Sequence, residues 1–320
     1  MVTTGSLDID QISALETLDQ QLRAVKNGKV QCNLGFIATF YVRTADQPNL
    51  RELAVEALEL YQSGVGDKLL WGADPKTGVP KKLAGGKIAD VRSWMAKIGP
   101  QDDFEYTFHG GKNKDDADPY FANCFVKPDA TRLSFVRFGW PLSWVTQYSL
   151  AAFAKLVDEF SAIIKPSHGY AGWAVVTHVM QSDSRHSMAP VTAFARRFRG
   201  LEVEQVTSHA IDLERREAIK GINWLTILGN PWLEKLGGLG ALKVALGEGI
   251  PVRPYGEGVV IQAGPRPLLG DVNAGEKMDA YYRVSLALKP IRTDYLDAFA
   301  TGYGFGQEQT TEWLKRFDVP

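Results

Sequence analysis

A chain of 320 residues, 45% hydrophobic and 23% charged, has the composition of an ordinary folded protein with a substantial core. Its 36 basic and 37 acidic residues give a formal net charge of −1, which argues against attraction of the whole surface to nucleic acid or an anionic membrane. The first residues, MVTTGSLDID, lack the basic and apolar regions of a signal peptide, and no apolar run approaches the roughly 20 residues of a membrane span. These features predict a cytoplasmic protein.

Hydrophobic spacing in the first half predicts helices and strands in alternation. Residues 1–7 are expected to be disordered, and an amphipathic helix is expected from Asp8 or Asp10 to about Asn27-Gly28. The patterns then predict a strand over 30–42, a helix from Pro48 to about 64, a turn-rich connection over 71–86, a short helix over 88–98, and strands over 104–108, 120–126 and 133–138. Three successive strands without helical spacers favour an antiparallel meander. Cys32 and Cys124 lie in this apolar sequence and are predicted to be buried thiols without a disulfide.

The second half is organised around residues 222–273. Residues 222–228 read as a strand buried on both faces in the middle of a sheet, and residues 230–246 read as one amphipathic helix with Pro231 in its first turn. A second buried strand is predicted over 258–263, followed by a rigid loop over 264–271. The other predicted elements are helices over 153–164, 189–198, 278–288 and 307–317 and a strand over 169–179, with 201–216 ambiguous.

Several short segments of this sequence resemble those of a known protein family. INWLTILG, LGGLGAL and YGEGVVIQAGPRPLLGDVN, together with LLWGADPKTG at 69–78, resemble the bacterial immunity proteins that protect type VI secretion strains from VRR-type, PD-(D/E)xK-like nuclease toxins. The resemblance covers roughly residues 34–317. It implies a protein that binds and neutralises a cognate nuclease effector, with no cofactor and no catalytic residues. The phrases themselves are packing and turn sequences.

The order of elements predicts an α+β fold with a mixed, mainly antiparallel sheet packed by helices. The strand and helix at 34–61 are echoed at 133–164, so two similar halves sharing the sheet are an alternative arrangement. No linker or change in composition divides the chain, and a single domain over 1–320 is therefore expected.

Motifs for metal binding and for nucleophilic catalysis are missing from the sequence. The five histidines occur without HxH, HExxH or CxxC spacing, and there is no GxSxG or GxxxxGK[ST]. His178 and His186 flank a stretch with Asp183 and Ser184, which keeps a hydrolase with a dispersed site as an alternative function. A structural subunit of a secretion assembly is another alternative. No catalytic, cofactor or metal residue is assigned.

One stretch is strongly acidic. Between residues 101 and 118, six acids stand against two lysines; the acids are Asp102, Asp103, Glu105, Asp115, Asp116 and Asp118. If the strands on either side are neighbours, these carboxylates project together from one end of the sheet. They would then imitate nucleic-acid phosphates and pair with the basic cleft of a nuclease toxin. A solvated surface loop is the plainer interpretation of the same residues.

Aromatic residues crowd the last part of the chain, at Tyr295, Phe299, Tyr303, Phe305, Trp313 and Phe317. Such a cluster indicates either a homodimer contact or packing of the terminal element on the core. The expected partner is thus a nuclease toxin, without direct binding of nucleic acid or membrane, and with a homodimer left open.

Overall fold

One sheet organises the residues that the computed structural model describes, which are 16–88, 90–129, 131–179, 188–301 and 304–319. The sheet has eleven strands in these residues. They are β1 Ala24–Lys26, β2 Lys29–Arg43, β3 Trp71–Ala73, β4 Pro80–Lys82, β5 Phe104–His109, β6 Phe121–Val126, β7 Leu133–Trp140, β8 His168–Thr177, β9 Leu225–Leu228, β10 Val252–Tyr255 and β11 Gly258–Gln262.

Helices connect and cover the strands. In the described residues these are α1 Leu50–Val65, α2 Val91–Met95, α3 Leu142–Tyr148, α4 Leu150–Ile164, α5 Met188–Arg197, α6 Val206–Arg216, α7 Asn230–Lys235, α8 Gly238–Leu246, α9 Asp279–Ala287 and α10 Gln307–Leu314. Residues 16–21 are also helical. None of the helices found in these ranges has the length and apolar character needed to cross a membrane.

The strands lie in the order β10-β11-β9-β8-β2-β7-β6-β5-β3-β4, with β1 paired to the start of β2. All pairings between these strands are antiparallel. Parallel contacts in the described residues are confined to isolated bridges such as Ala174 with Glu202. The predicted α+β class with a mainly antiparallel sheet is therefore confirmed.

The two similar strand-then-helix segments, 34–61 and 133–164, interleave at the centre of the sheet. The chain leaves β2 through α1 and returns, after β3 to β5, as β6, with β7 lying between β2 and β6. It leaves β7 through α3 and α4 and returns as β8, with β2 lying between β7 and β8. We call β2 with α1 and β6 the first strand–helix unit, and β7 with α3, α4 and β8 the second. The first strand of each unit lies between two strands of the other, so the two units share one run of paired strands.

A layer of aromatic rings joins these units on the face of the sheet that carries α1 and α4, here called the first face. Phe138 of β7 stacks on Phe160 of α4 at 4.5 Å between ring centroids and on Tyr61 of α1 at 4.9 Å. Trp140 meets Tyr61 edge-on at 5.2 Å and Phe153 at 5.3 Å. All five rings are almost fully buried, so both helices are held against the strand that joins the units.

The predicted amino-terminal helix does not extend to Asn27-Gly28. Its described part ends at residue 21, and the chain then forms β1. Asn27 and Gly28 have φ of 52° and 73°, and Lys26 pairs with Lys29 across them. An Asn-Gly pair with both residues at positive φ is the preferred two-residue turn of a β-hairpin, which explains why the pair joins two strands and does not end a helix.

The prediction of one helix over 230–246 is wrong, because α7 and α8 are separate. Gly237, which precedes α8, and Gly238, its first residue, have φ of 83° and 88°, a conformation that interrupts an α-helix. The preceding strand is shorter than predicted, Leu225–Leu228, and lies between β8 and β11. It is inside the sheet, but the centre belongs to β2 and β7.

Two segments contain elements that the sequence patterns did not predict. The turn-rich connection contains the β3–β4 hairpin at one edge of the sheet, and the ambiguous stretch contains α6. Pro254 lies in β10, an edge strand, which is where a sheet tolerates a residue without a backbone N–H. Cys32 and Cys124 are buried free thiols, as predicted.

We propose that the two strand–helix units unfold together, and Phe160→Ala tests this because Phe160 contacts strands of both units. Loss of the ring is expected to lower the free energy of unfolding by roughly 3–5 kcal/mol. Denaturant unfolding followed by tryptophan fluorescence and far-ultraviolet circular dichroism should show a single transition moved to lower denaturant by both probes.

The matched control on the same helix is Lys155→Ala, whose side chain is 79% exposed and pairs only with Glu159 among the described ion pairs. It should change stability by less than about 0.5 kcal/mol. Two separated transitions, with only one moved by Phe160→Ala, would contradict joint unfolding.

Candidate functional site

The opposite face of the sheet, here called the second face, is covered over only part of its width. Helix α6 packs on β7 of this face, and Glu214 near its end accepts a hydrogen bond from the Leu133 amide at 2.9 Å. Beyond α6, towards β5, the sheet borders an open groove of about 410 Å³. The groove is lined by Ala73, Gly78, Glu105, Thr107, Asn123, Phe125, Phe135, Arg137, Thr177, His178, Val179, Glu204, Gln205, Val206, Thr207 and Ser208.

The floor of the groove is a row of polar side chains in register across adjacent strands. Thr107 of β5, Asn123 of β6, Arg137 of β7 and Thr39 of β2 are successive cross-strand partners. The Asn123 amide donates to Thr107 Oγ1 at 2.8 Å, and Thr39 Oγ1 donates to Glu204 Oε1 at 2.6 Å. Hydrogen bonds therefore hold the floor in one arrangement before any ligand arrives.

Glu204 closes this row from above the sheet. Arg137 donates to Glu204 Oε2 at 2.5 Å, with the two side chains only 11% and 6% exposed, and the Tyr170 hydroxyl donates to Glu204 Oε1 at 2.9 Å. The guanidinium also lies over the Phe121 ring, 4.8 Å from its centroid. Gly139 makes room for that ring, because a β-carbon there would lie 2.2 Å from it.

The mouth of the groove combines a carboxylate with an aromatic ring. Glu105 of β5 is the direct cross-strand partner of Phe125 of β6, whose ring lies 6.1 Å from that of Phe135. The ammonium group of Lys127 lies 5.2 Å from the centre of the Phe125 ring. Partial burial, and then the charge of Asp103, raise the pKa of Glu105 above its ordinary value.

The six acidic residues of the sequence analysis do not form one cluster. Asp102 and Asp103 are exposed at the start of β5, and Glu105 is exposed within that strand. Asp115, Asp116 and Asp118 follow the end of β5, in the loop leading to β6. Strand β5 keeps the two sets apart by roughly 20 Å, given about 3.4 Å per residue in an antiparallel strand. The expectation of six carboxylates projecting from one end of the sheet is therefore wrong.

The three acids of the loop are engaged within the protein. Asp116 is buried and accepts hydrogen bonds from the backbone amides of Val30 at 3.0 Å and Asn113 at 2.8 Å. Asp115 forms an ion pair with Lys29. Asp118 accepts from the Tyr120 amide at 2.9 Å, and burial raises its pKa to about 6. This set anchors the loop to the beginning of β2.

The histidine alternative is only partly represented in the described residues. His178 Nε2 lies 2.8 Å from the Lys114 carbonyl oxygen, and its ring packs edge-on against His109 at 5.1 Å. Burial lowers the pKa of both rings, that of His109 to about 4. His186, Asp183 and Ser184 lie outside the described residues. Within the described residues no group of three or more His, Cys, Asp or Glu side chains is arranged to hold a metal ion.

The carboxy-terminal aromatic residues pack inward. Phe299 lies 4.8 Å from Phe305 and 5.3 Å from Trp313 between ring centroids, and all three side chains are buried. Phe317 is buried against Tyr281, whereas Tyr295 is partly exposed and Tyr303 lies outside the described residues. Packing of the terminal element on the core accounts for the buried members of this cluster.

A buried ionic group fixes the same region to the second face. Lys220 Nζ donates to Glu202 Oε1 at 2.5 Å, with side chains 1% and 2% exposed, and Arg316 donates to Glu202 Oε2 at 3.3 Å. Burial lowers the pKa of Lys220, while Glu202 opposes that effect. No spacing pattern joins these three residues in the sequence.

Sequence reasoning also missed the polar floor. A signal for it exists, because Glu105, Thr107 and His109 alternate with aromatic residues in β5, and Asn123 and Arg137 interrupt apolar strands. A polar residue at every second position indicates a strand face without a hydrophobic cover. The pattern indicates the face but not which strands meet on it.

The comparisons with known proteins agree with this architecture. The family model TsiV, described as type VI immunity for VRR-NUC, matches residues 54–317. A solved structure, the Pseudomonas aeruginosa type VI secretion system (T6SS) protein PA0821, is similar over 98% of this chain and 92% of its own, with 25% sequence identity and a TM-score of 0.82. No curated protein matches the chain.

The pH dependence of stability provides a test of the loop that Asp118 anchors. Because the folded state holds the Asp118 proton more tightly than the unfolded chain, the stabilisation is present below pH about 4 and is lost as the pH rises through about 6. Asp118→Asn keeps an oxygen that accepts from the Tyr120 amide. It is expected to exceed wild type in unfolding free energy by on the order of 2 kcal/mol at pH 7.5 and to match it near pH 4.

Urea titrations of both proteins at the two pH values measure this difference. Titration of His109 is common to both proteins and cancels in the comparison. An equal difference between the proteins at pH 4 and pH 7.5 would mean that Asp118 does not carry the raised pKa.

Proposed function

The chain belongs to the family of type VI immunity proteins for VRR-type nucleases, and from this premise we propose that it neutralises its cognate nuclease by direct, stoichiometric binding. It is an immunity protein, and the toxins against which its family gives immunity are VRR-type nucleases. Binding protects the producing cell and its siblings because the toxin loses access to DNA. The observation that carries the proposal is the family match over most of the chain.

The proposed mode of action is occupancy and not catalysis. An inhibitor works by burying complementary surface, and a groove with a hydrogen-bonded floor offers such a surface without reorganisation. The competing hydrolase hypothesis requires a free histidine beside a nucleophile. Its described candidate, His178, is buried and lies against the Lys114 carbonyl and the His109 ring.

Charge supports the same interpretation locally. A nuclease must present cationic groups to a polyanionic substrate, so an inhibitor gains from carboxylates on its contact surface. The balanced net charge of −1 gives no general attraction, and we assign the attraction to Glu105, which lines the groove, and to Asp102 and Asp103, which precede β5. Asp115, Asp116 and Asp118 are assigned an anchoring role, since their described contacts lie within the protein.

The proposed compartment is the cytoplasm, because a nuclease toxin must be stopped where the DNA is. Because the net charge is −1, we also propose that the chain does not bind nucleic acid itself. A homodimer remains a separate proposal, and sedimentation of the free chain at micromolar concentration tests it. Inward packing of the buried carboxy-terminal aromatics favours a monomer.

The function is tested by purifying the chain with the nuclease domain encoded beside it and measuring cleavage of plasmid DNA. The expected result is a complex that survives gel filtration and loss of cleavage at one equivalent of the chain. A matched reaction with an unrelated nuclease should proceed unchanged.

Two outcomes would contradict the proposal. Full cleavage at tenfold excess of the chain would exclude direct neutralisation. Inhibition at far less than one equivalent would replace stoichiometric binding by enzymatic inactivation of the toxin.

A further inference from the structure

We propose that the groove beside β5, β6 and β7 receives a lysine or arginine side chain of the partner nuclease, with Glu105 as its counter-charge and Phe125 as the ring against which it packs. This inference rests on the proposed function and adds the binding surface and the chemistry of the group it takes. It concerns one place on the second face of the sheet.

The first step is the balance of charge inside the groove. Arg137 is already paired with Glu204, and the start of α6, whose first turn is electropositive, follows Glu204 by one residue. These positive contributions are therefore matched from within. Glu105 takes part in no ion pair among the described residues, and the nearby Lys127 ammonium lies over the Phe125 ring, so Glu105 is a carboxylate of the groove lining without an ion-pair partner.

The second step is the environment of that carboxylate. Glu105 is partly desolvated, and Asp103 adds like charge from two residues away, which together raise its pKa. A cation placed beside it would relieve both effects, because it supplies the missing opposite charge. An anionic or neutral occupant would leave the Glu105 charge uncompensated, and this favours a basic side chain.

The third step is the ring across from Glu105. Phe125 already has the Lys127 ammonium at 5.2 Å from its centre, so this ring lies in a position where a cation is tolerated. Basic side chains are attracted to the face of an aromatic ring, and a guanidinium stacks on it with its planar surface. Carboxylate and ring thus offer the two contacts that an arginine uses together.

The fourth step is the shape of the groove. Its volume of about 410 Å³ falls in the range of protein pockets that bury a small ligand, and because the groove is open to solvent it admits a side chain still attached to a folded partner. Ala73 and Gly78 of the β3–β4 hairpin form one wall, and residues 204–208 form the other. The hydrogen bonds of Asn123 and Glu204 keep the floor fixed, so little ordering is required on binding.

The test measures the affinity of three variants for a catalytically inactive form of the cognate nuclease by calorimetry or interferometry. Glu105→Gln removes the charge and is expected to weaken binding about tenfold, and Glu105→Lys reverses it and should weaken binding about a hundredfold or more. Glu257→Lys is the matched control. Glu257 is exposed in the turn between β10 and β11, and β11 lies six strand positions, roughly 29 Å, from β5. It should bind within twofold of wild type.

A partner-side experiment distinguishes a direct ion pair from a general field effect. Lys and Arg residues on the inactive nuclease are changed singly to Glu. One such variant is expected to lose affinity for the wild-type chain and to regain at least tenfold with Glu105→Lys. Far-ultraviolet circular dichroism and melting temperature of each variant confirm that the fold is kept.

The outcomes separate this inference from the function on which it rests. If wild type forms the inhibitory complex and both Glu105 variants bind like wild type, the groove assignment is overturned and the immunity mechanism stands. Equal losses in Glu105→Lys and Glu257→Lys would also overturn it, because the effect would then be long-range. If wild type binds no nuclease, the proposed function fails and the groove assignment falls with it.

Discussion

The antiparallel pairing of β2 with β7 is the contact on which the other elements depend. Eight residue pairs join these strands, from Phe36 with Trp140 to Arg43 with Leu133. Each strand begins a unit whose helix crosses over the other unit's strand, so neither unit completes its own core. The rings of Tyr61, Phe138 and Phe160 show the result, since they bring α1, β7 and α4 into one layer.

The two faces of the sheet are covered by different kinds of interaction, and the candidate site lies where the second face is left uncovered. The first face is closed by aromatic and aliphatic side chains. The second face is closed near β8 and β9 by a buried ionic group around Glu202, and is left open over β5 and β6. Removing one member of a buried ionic group leaves uncompensated charge, which makes this closure costly to undo. The open part keeps polar side chains in register, and it is there that we propose the partner nuclease binds.

Much of this fold follows from short-range patterns. The largely apolar stretches 30–42 and 133–138 predict strands, and the structure puts both at the centre of the sheet, whereas the strand predicted for the middle, within 222–228, lies nearer one edge. The errors come from signals with two meanings. Asn27-Gly28 suits a helix end as well as a hairpin, and Gly237-Gly238 stands among apolar residues at helical spacing although both glycines adopt positive φ. Only the pairing of β1 with β2 and the backbone at 237–238 decide these cases.

The site was harder to predict because it is assembled from distant segments. Its polar floor joins strands β5, β6 and β7 to Glu204, which lies 67 residues from its partner Arg137. Closeness in sequence was misleading for the acids, because the intervening strand carries Asp103 and Asp115 to opposite ends of β5. The sequence shows no catalytic motif. Only the register of the sheet shows that Glu105, among the acids near β5, lines the groove.

The central claim, that the second face near β5 contacts the nuclease, is tested most directly by hydrogen–deuterium exchange of this chain with and without the inactive toxin. We expect slower exchange in the complex at residues 102–107, 121–127 and 204–208, with β10 and β11 unchanged. Protection confined to β10 and β11, or to the first-face helices α1 and α4, would contradict the account.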